Sequence, residues 1–121
     1  MSYRTLIQAI QKCLNSELLS PKYRGQSNPL AGHCYVASET FFHLAGGKQA
    51  GLKPMQLLHE GKSHWFVYDE KNSQVIDITA GQFRKPVPYT QAKGRGFLTK
   101  NPSKRAQKLI DAMRKDSLEK C

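Results

Sequence analysis

The sequence predicts an α+β fold in which N-terminal helices pack on a small antiparallel sheet and a C-terminal helix follows. Three observations lead to this prediction. Apolar residues recur at helical spacing near both ends of the chain, aromatic and β-branched residues are concentrated in its middle, and polar turns separate these stretches. The 121 residues are enough for one compact domain, 1–121, with one modest core, and we expect 117–121 to be a frayed tail.

The first predicted helix covers residues 5–14, where Leu6, Ile10 and Cys13 share one face. We interpret Cys13 as a core residue for that reason. A polar loop over 22–31 follows, and loops of this length inside small domains are often functional.

A second helix is predicted from His33 or Cys34 to Ala45, where Gly46-Gly47 ends the helical spacing. Its apolar face comprises Cys34, Ala37, Ser38, Phe41, Leu44 and Ala45. The Cys34 sulfur is then expected in the first helical turn, where free N–H groups and the helix dipole favour a thiolate. Because free cysteines are often simply buried, position alone does not make Cys34 a nucleophile. We interpret His43, on the other side of the helix, as a surface histidine.

Three strands are predicted, over residues 55–60, 64–68 and 74–79. The polar stretch 69–73 joins the last two as a hairpin turn, so these strands form an antiparallel pair. Counted from Lys71, His64 lies 71 − 64 = 7 residues before the turn and Asp77 lies 77 − 71 = 6 residues after it. The two side chains are therefore expected roughly opposite each other on one face.

The last third begins with residues 86–88, where two prolines allow at best an edge strand. Gly94-Arg95-Gly96 is typical of a flexible basic turn. A final helix is predicted after Asn101 as N-cap, with Pro102 in its first position. Its buried stripe comprises Ala106, Leu109, Ile110 and Met113.

Cys34, His64 and Asp77 supply the three groups that a cysteine nucleophile needs: a thiol, a base, and a group that fixes the tautomer of the base. The N–H of Cys34 is one expected oxyanion donor, and Gln26 and Asn28 in the preceding loop are candidates for a second. The alternatives are that Gln26 and Asn28 are ordinary loop amides, which their position alone favours, and that His64 is a strand-end histidine without a role. A carboxylate among branched aliphatic residues, as Asp77 is, needs a partner if it is buried.

Metal binding by Cys34, His33, His64 and Asp77 is a second functional interpretation. No local pair of these residues has the spacing typical of zinc ligands, so no metal site is predicted. No cofactor is predicted either.

The chain is strongly basic, with 19 lysine and arginine residues against 9 acidic ones, a net charge of 19 − 9 = +10 and a pI of about 9.7. Such a balance attracts nucleic acid or an acidic protein, although it also suits a solvated surface without a partner. Much of the charge lies in the last third, and the candidate basic surface comprises Arg84, Lys85, Arg95, Lys104, Arg105 and Lys108. A non-catalytic basic binding module is therefore the alternative function, although no helix-turn-helix, RRM or zinc-finger pattern is present.

Other features bear on where the protein acts. The sequence has no apolar run long enough for a membrane span and no signal-peptide core at its N-terminus, so no membrane partner is expected. Its cysteines, Cys13, Cys34 and Cys121, are odd in number and irregularly spaced. Free thiols in a reducing cytoplasm are the simplest interpretation.

Three short motifs resemble the core of papain-like cysteine enzymes, most closely the transglutaminase-like and arylamine N-acetyltransferase-like type. They are Gly32-His33-Cys34-Tyr35, Ser63-His64-Trp65-Phe66 and Ile76-Asp77-Ile78-Thr79. In that type a cysteine on a helix precedes a histidine on a strand and an aspartate on the adjacent strand. The pattern is also similar to small bacterial and phage proteins with this core, and it covers roughly residues 32–83.

The resemblance implies acyl transfer through a thioester, in which Cys34 attacks a carbonyl, His64 moves the proton and Asp77 orients His64. It implies a protein, a peptide or an amide-bearing small molecule as substrate. Water as acceptor would make a protease or amidase, and an amine would make a transferase. It also suggests the bacterial cytoplasm, or the host cytoplasm if the protein is phage-encoded.

Overall fold

The computed structural model describes residues 3–14, 33–80, 85–97 and 101–119, and this part of the chain has the predicted α+β architecture. The helices are α1 (Tyr3–Cys13), α2 (Cys34–Leu44) and α3 (Lys104–Glu119). The strands are β1 (Leu52–His59), β2 (Lys62–Asp69), β3 (Gln74–Ile76) and β4 (Lys93–Gly94). They form one antiparallel sheet in the order β3-β2-β1-β4. Helices packed on a small antiparallel sheet, with a C-terminal helix, are therefore confirmed.

Helix α2 lies at the centre of the core, in contact with the sheet and with both other helices. The core residues are Leu6, Ile10, Val36, Ala37, Phe41, Leu52, Val67, Ile76, Ile78, Ala106 and Leu109. Because α2 is covered from several sides, it buries Glu39 and Thr40 outside the predicted apolar face. Leu44, predicted on that face, is 41% exposed, since it lies in the last turn and borders an open groove between the three helices. His43, predicted at the surface, is half-buried, with its Nε2 atom buried.

The start of α3 is fixed by a buried carboxylate on α2. The backbone N–H and the hydroxyl of Ser103 both donate to Glu39, at 2.9 and 2.6 Å. The Ser103 oxygen also accepts from the N–H of Ala106 at 3.3 Å, so Ser103 caps the helix. The prediction of Asn101 as the cap is therefore wrong. The predicted stripe is confirmed, and the fraying of residues 117–121 stays a prediction, with α3 extending to Glu119.

The two hairpins of the sheet have different turns. Strands β1 and β2 are joined by Glu60 and Gly61, both with positive φ, which suits a tight two-residue hairpin. Strand β2 consequently begins at Lys62, earlier than predicted, and the pairing of Asp69 with Leu52 extends β1 to an earlier start as well. The turn between β2 and β3 is organised by the Asp69 carboxylate, which accepts from the N–H groups of Lys71 and Asn72 at 3.0 and 3.2 Å. The hydrogen bond from the Asn72 side chain, at 2.7 Å, is the main cause that lowers the pKa of Asp69.

The edge strand on the β1 side is β4, not the segment at 86–88, which forms no strand. It pairs Gly94 with Met55, where the sequence predicted a turn. A side chain at Gly94 would come within 2.5 Å of the Lys53 stem, so glycine allows Lys53 to cross the edge of the sheet.

Candidate active site

Cys34 is the first residue of α2, as predicted, and its side chain is 8% exposed. The helical hydrogen bonding begins at this point, where the N–H of Ala37 donates to the carbonyl of His33 at 2.9 Å. The sulfur faces the start of β2, with its Sγ 3.6 Å from the carbonyl oxygen of Ser63. The residue next along β2 is His64, so the local geometry brings the thiol to the histidine singled out in the sequence.

His64 is fully buried in β2 and forms a hydrogen bond from Nε2 to Oδ2 of Asp77 at 2.7 Å. Asp77 was predicted to lie within the strand, but β3 ends at Ile76 and Asp77 directly follows it. The observed pairing of Val67 with Ile76, continued along the strands, would place His64 opposite Thr79. Asp77 is thus a diagonal neighbour of His64 on the same face, not its direct partner.

The pKa of His64 reflects both of its polar neighbours. Burial alone would lower this pKa, but hydrogen bonds and charge from Asp77 and Cys34 outweigh it and raise the pKa from 6.5 to about 9. Since Asp77 occupies Nε2, Nδ1 is the ring nitrogen left for the sulfur. The imidazole thus has a carboxylate and a thiol as its polar neighbours, the groups that nucleophilic catalysis by cysteine requires.

Tyr89 is a member of the site that the sequence analysis missed. Its hydroxyl donates to the same Oδ2 atom of Asp77 at 2.8 Å, and its ring packs edge-on against Phe66 at 4.9 Å. Burial, and then the hydrogen bond and charge of Asp77, raise the pKa of Tyr89, so the hydroxyl keeps its proton. The other oxygen of Asp77, Oδ1, is buried and has no hydrogen-bond partner among the residues described. No spacing in the sequence points to Tyr89, which lies in a short 3₁₀ turn over Tyr89–Gln91.

A polar chain that the sequence analysis also missed leads from the surface to the thiol. Arg95 donates from Nη1 to Oε1 of Gln56 at 2.7 Å, and the Gln56 amide donates to the hydroxyl of Ser63. The carbonyl of Ser63 is the group that contacts the Cys34 sulfur. Neither glutamine nor serine carries a sequence signal for this role, because the chain depends on the pairing of β1 with β2.

The remaining predicted residues are distributed differently. The oxyanion candidates Gln26 and Asn28 and the basic Arg84 lie outside the described residues. The other basic candidates are all exposed: Lys85, Arg95, Lys104, Arg105 and Lys108. Arg95 follows β4 whereas the last three lie on α3, so the basic residues occupy separate elements.

The described residues contain no group of three or more histidine, cysteine or acidic side chains arranged to hold a metal ion. Their helices include none that combines the length and apolar character of a membrane span.

A buried thiol, imidazole and carboxylate are thus neighbours, and these three groups make up the candidate active site. Comparison with protein-family models, with curated proteins and with solved structures found no match for this chain. The chemistry of the site is therefore inferred from its own geometry.

His64 is expected to stay protonated until the pH approaches about 9, which an NMR titration of its ring protons would measure. Because this folded-state pKa lies above the ordinary 6.5, its protonation contributes stability that is complete below about pH 6.5. That contribution is lost as the pH rises through about 9, so the free energy of unfolding should fall there. His64→Gln should lack this component of the decrease. A His64 titration near pH 6.5 would contradict the prediction.

Proposed function

We propose that this protein is a cysteine-dependent acyl-transfer enzyme with Cys34 as nucleophile, His64 as general acid and base, and Asp77 as the residue that orients His64. The single observation that carries the proposal is the buried 2.7 Å bond between His64 and Asp77, beside the Cys34 thiol, which also raises the pKa of His64. Burying an ionisable pair is costly and seldom adds net stability. The Cys34 thiol at the start of α2 lies beside this pair, and activation of that thiol would explain why the pair is buried.

The mechanism follows from the order of the groups. The Cys34 thiolate attacks a carbonyl carbon and forms the C–S bond, and the protonated His64 gives its proton to the leaving amine as the C–N bond breaks. Water or an amine then attacks the thioester, His64 takes a proton from it, and the thiolate leaves. Throughout, Asp77 holds the imidazole while Tyr89 holds Asp77.

The oxyanion of each tetrahedral intermediate needs donors near the sulfur. The N–H of Cys34 suits this role, since the first N–H groups of a helix have no intrahelical acceptor. Gln26 and Asn28 remain the candidates for a side-chain donor. Water as acceptor gives hydrolysis, and an amine gives transfer. No step of this mechanism requires a cofactor.

Within this class we propose the papain-like, transglutaminase-like type, because the nucleophile opens a helix and the histidine and aspartate come from successive parts of a hairpin. The proposed acyl donor is a protein, a peptide or an amide-bearing small molecule. The proposed compartment is a bacterial or host cytoplasm, where the thiol stays reduced.

The proposal is tested by labelling with a fluorescent iodoacetamide at about pH 6, where ordinary thiols react slowly. We expect Cys34 to be labelled faster than Cys13 and Cys121 in the same molecule, with Cys34→Ala removing that signal. His64→Ala should abolish the preference, whereas the matched change His43→Ala, at a histidine outside the site, should not. Equal labelling of all three cysteines, or no effect of His64→Ala, would overturn the proposal.

A non-catalytic basic module is the second candidate, favoured by the net charge of +10 and the exposed cations. It would bind nucleic acid or an acidic protein. This function predicts salt-sensitive retention on polyanions and no dependence of binding on His64.

A further inference from the structure

A groove of about 890 Å³ opens between the C-terminal end of α2 and the edge formed by β1 and β4. Apolar side chains line it: Phe42, Leu52, Pro54 and Phe97. Its charged lining consists of Lys48, Lys53 and Arg95 against a single carboxylate, Glu70. Among the described residues that line the groove, three cations therefore border an apolar surface and outnumber the single acidic side chain.

The groove is connected to the candidate active site by two sets of contacts. Arg95 begins the polar chain that passes through Gln56 to Ser63, whose carbonyl lies 3.6 Å from the Cys34 sulfur. On the apolar side, the Phe97 ring stacks on Trp65 at 5.6 Å. Phe97 also contacts Tyr35 edge-on at 5.4 Å, and Tyr35 directly follows the nucleophile. The groove lies at the C-terminal end of α2 and Cys34 is its first residue, so a ligand in the groove reaches the sulfur only by following these contacts along the helix.

Resting on the proposed function, we infer that this groove binds an acidic stretch of a polypeptide substrate, at a distance along α2 from the bond that Cys34 attacks. The guanidinium of Arg95 has five N–H donors, of which the contact with Gln56 uses one, so a carboxylate can still be held. Apolar side chains between the acidic residues would contact Phe42, Leu52 and Phe97.

A peptide fits these features better than a nucleic acid does. The acyl donor must carry an amide carbonyl, which a polypeptide supplies at every residue. The groove also follows β4, an exposed two-residue edge strand, and extended peptides commonly bind along sheet edges.

Binding is tested by fluorescence anisotropy on Cys34→Ser, which removes turnover. The probes are a fluorescein-labelled peptide of alternating glutamate and leucine, the same peptide with glutamine for glutamate, and a labelled oligothymidine of equal charge. We expect the acidic peptide to bind at least about tenfold more tightly than its glutamine form. The double variant Lys53→Gln/Arg95→Gln should weaken this binding by about tenfold.

The matched control is Lys104→Gln/Lys108→Gln, which removes the same charge from exposed positions on α3. Its effect should stay within about twofold. Equal losses in both double variants, no preference for the acidic peptide, or tighter binding of the oligothymidine that depends on Lys53 and Arg95 would each overturn the inference. Binding is measured on Cys34→Ser and labelling on the unchanged chain. Peptide binding without Cys34 labelling would therefore reject only the enzyme, and labelling without binding would reject only the groove.

Discussion

Replacing Asp77 by asparagine is expected to lower the rate of Cys34 acylation by about 10³–10⁴-fold while the chain stays folded. The change keeps the shape of the side chain but removes the charge that faces the buried imidazole of His64 at 2.7 Å. It also allows an amide N–H to point at Nε2. The neutral ring would then carry its proton on Nδ1, on the side of the sulfur, and could not take a proton from the thiol. Release of nitrophenolate from p-nitrophenyl acetate measures the acylation rate.

The titration of His64 separates this chemical effect from a loss of structure. Since burial lowers the pKa of His64 and the neighbouring Asp77 and Cys34 raise it to about 9, Asp77→Asn should shift it downward. Tyr89→Phe, which removes one donor but leaves the charge, should shift it less. Asp111→Asn is the matched control, because that carboxylate is exposed on α3 and accepts from Gln107 at 3.0 Å. An unchanged His64 titration in Asp77→Asn would contradict the assigned role.

Replacing Glu39 by alanine is expected to reduce the free energy of unfolding by about 3–5 kcal/mol. This carboxylate is 0% exposed and accepts from the N–H and the hydroxyl of Ser103, at 2.9 and 2.6 Å. Hydrogen bonds to a charged group contribute about 1.5–3 kcal/mol each, and alanine would leave both donors of Ser103 unsatisfied beside a cavity. Urea unfolding followed by circular dichroism measures the loss.

Two further variants define this result. Glu39→Gln keeps the volume and one acceptor oxygen, so it should cost less than alanine does. Glu70→Ala makes the same truncation at an exposed position and should change stability by no more than about 0.5 kcal/mol. If Glu39→Ala were as stable as Glu70→Ala, the carboxylate would not be what fixes the start of α3.

Local signals in the sequence predicted most of the elements. Helix α2 starts at Cys34 because the loop chemistry ends there and helical spacing begins, and the aromatic and β-branched residues after His64 form a strand. Both patterns lie within a few residues, so no knowledge of the tertiary structure is needed.

The errors occurred where a distant partner decides the structure. The cap of α3 depends on Glu39, which is 64 residues from Ser103 in the chain. The hairpin register depends on how Asp69 organises the turn, so counting from Lys71 placed Asp77 opposite Trp65, one position away from Phe66, which the observed register places opposite it. Tyr89 reaches the site only through the path of the chain after β3, which no periodicity encodes.

Helix α2 carries the nucleophile at its first residue and, five positions later, the carboxylate that fastens the C-terminal helix. Any cleavage or truncation that removes Ser103 and the segment after it would remove both donors to Glu39 and the helix that packs against α2. Cleavage of the chain near residue 103 is therefore expected to lower the reactivity of Cys34, although the cut lies far from the sulfur in the sequence. The reactivity of Cys34, at the first residue of α2, would then depend on the packing of α3 against the same helix.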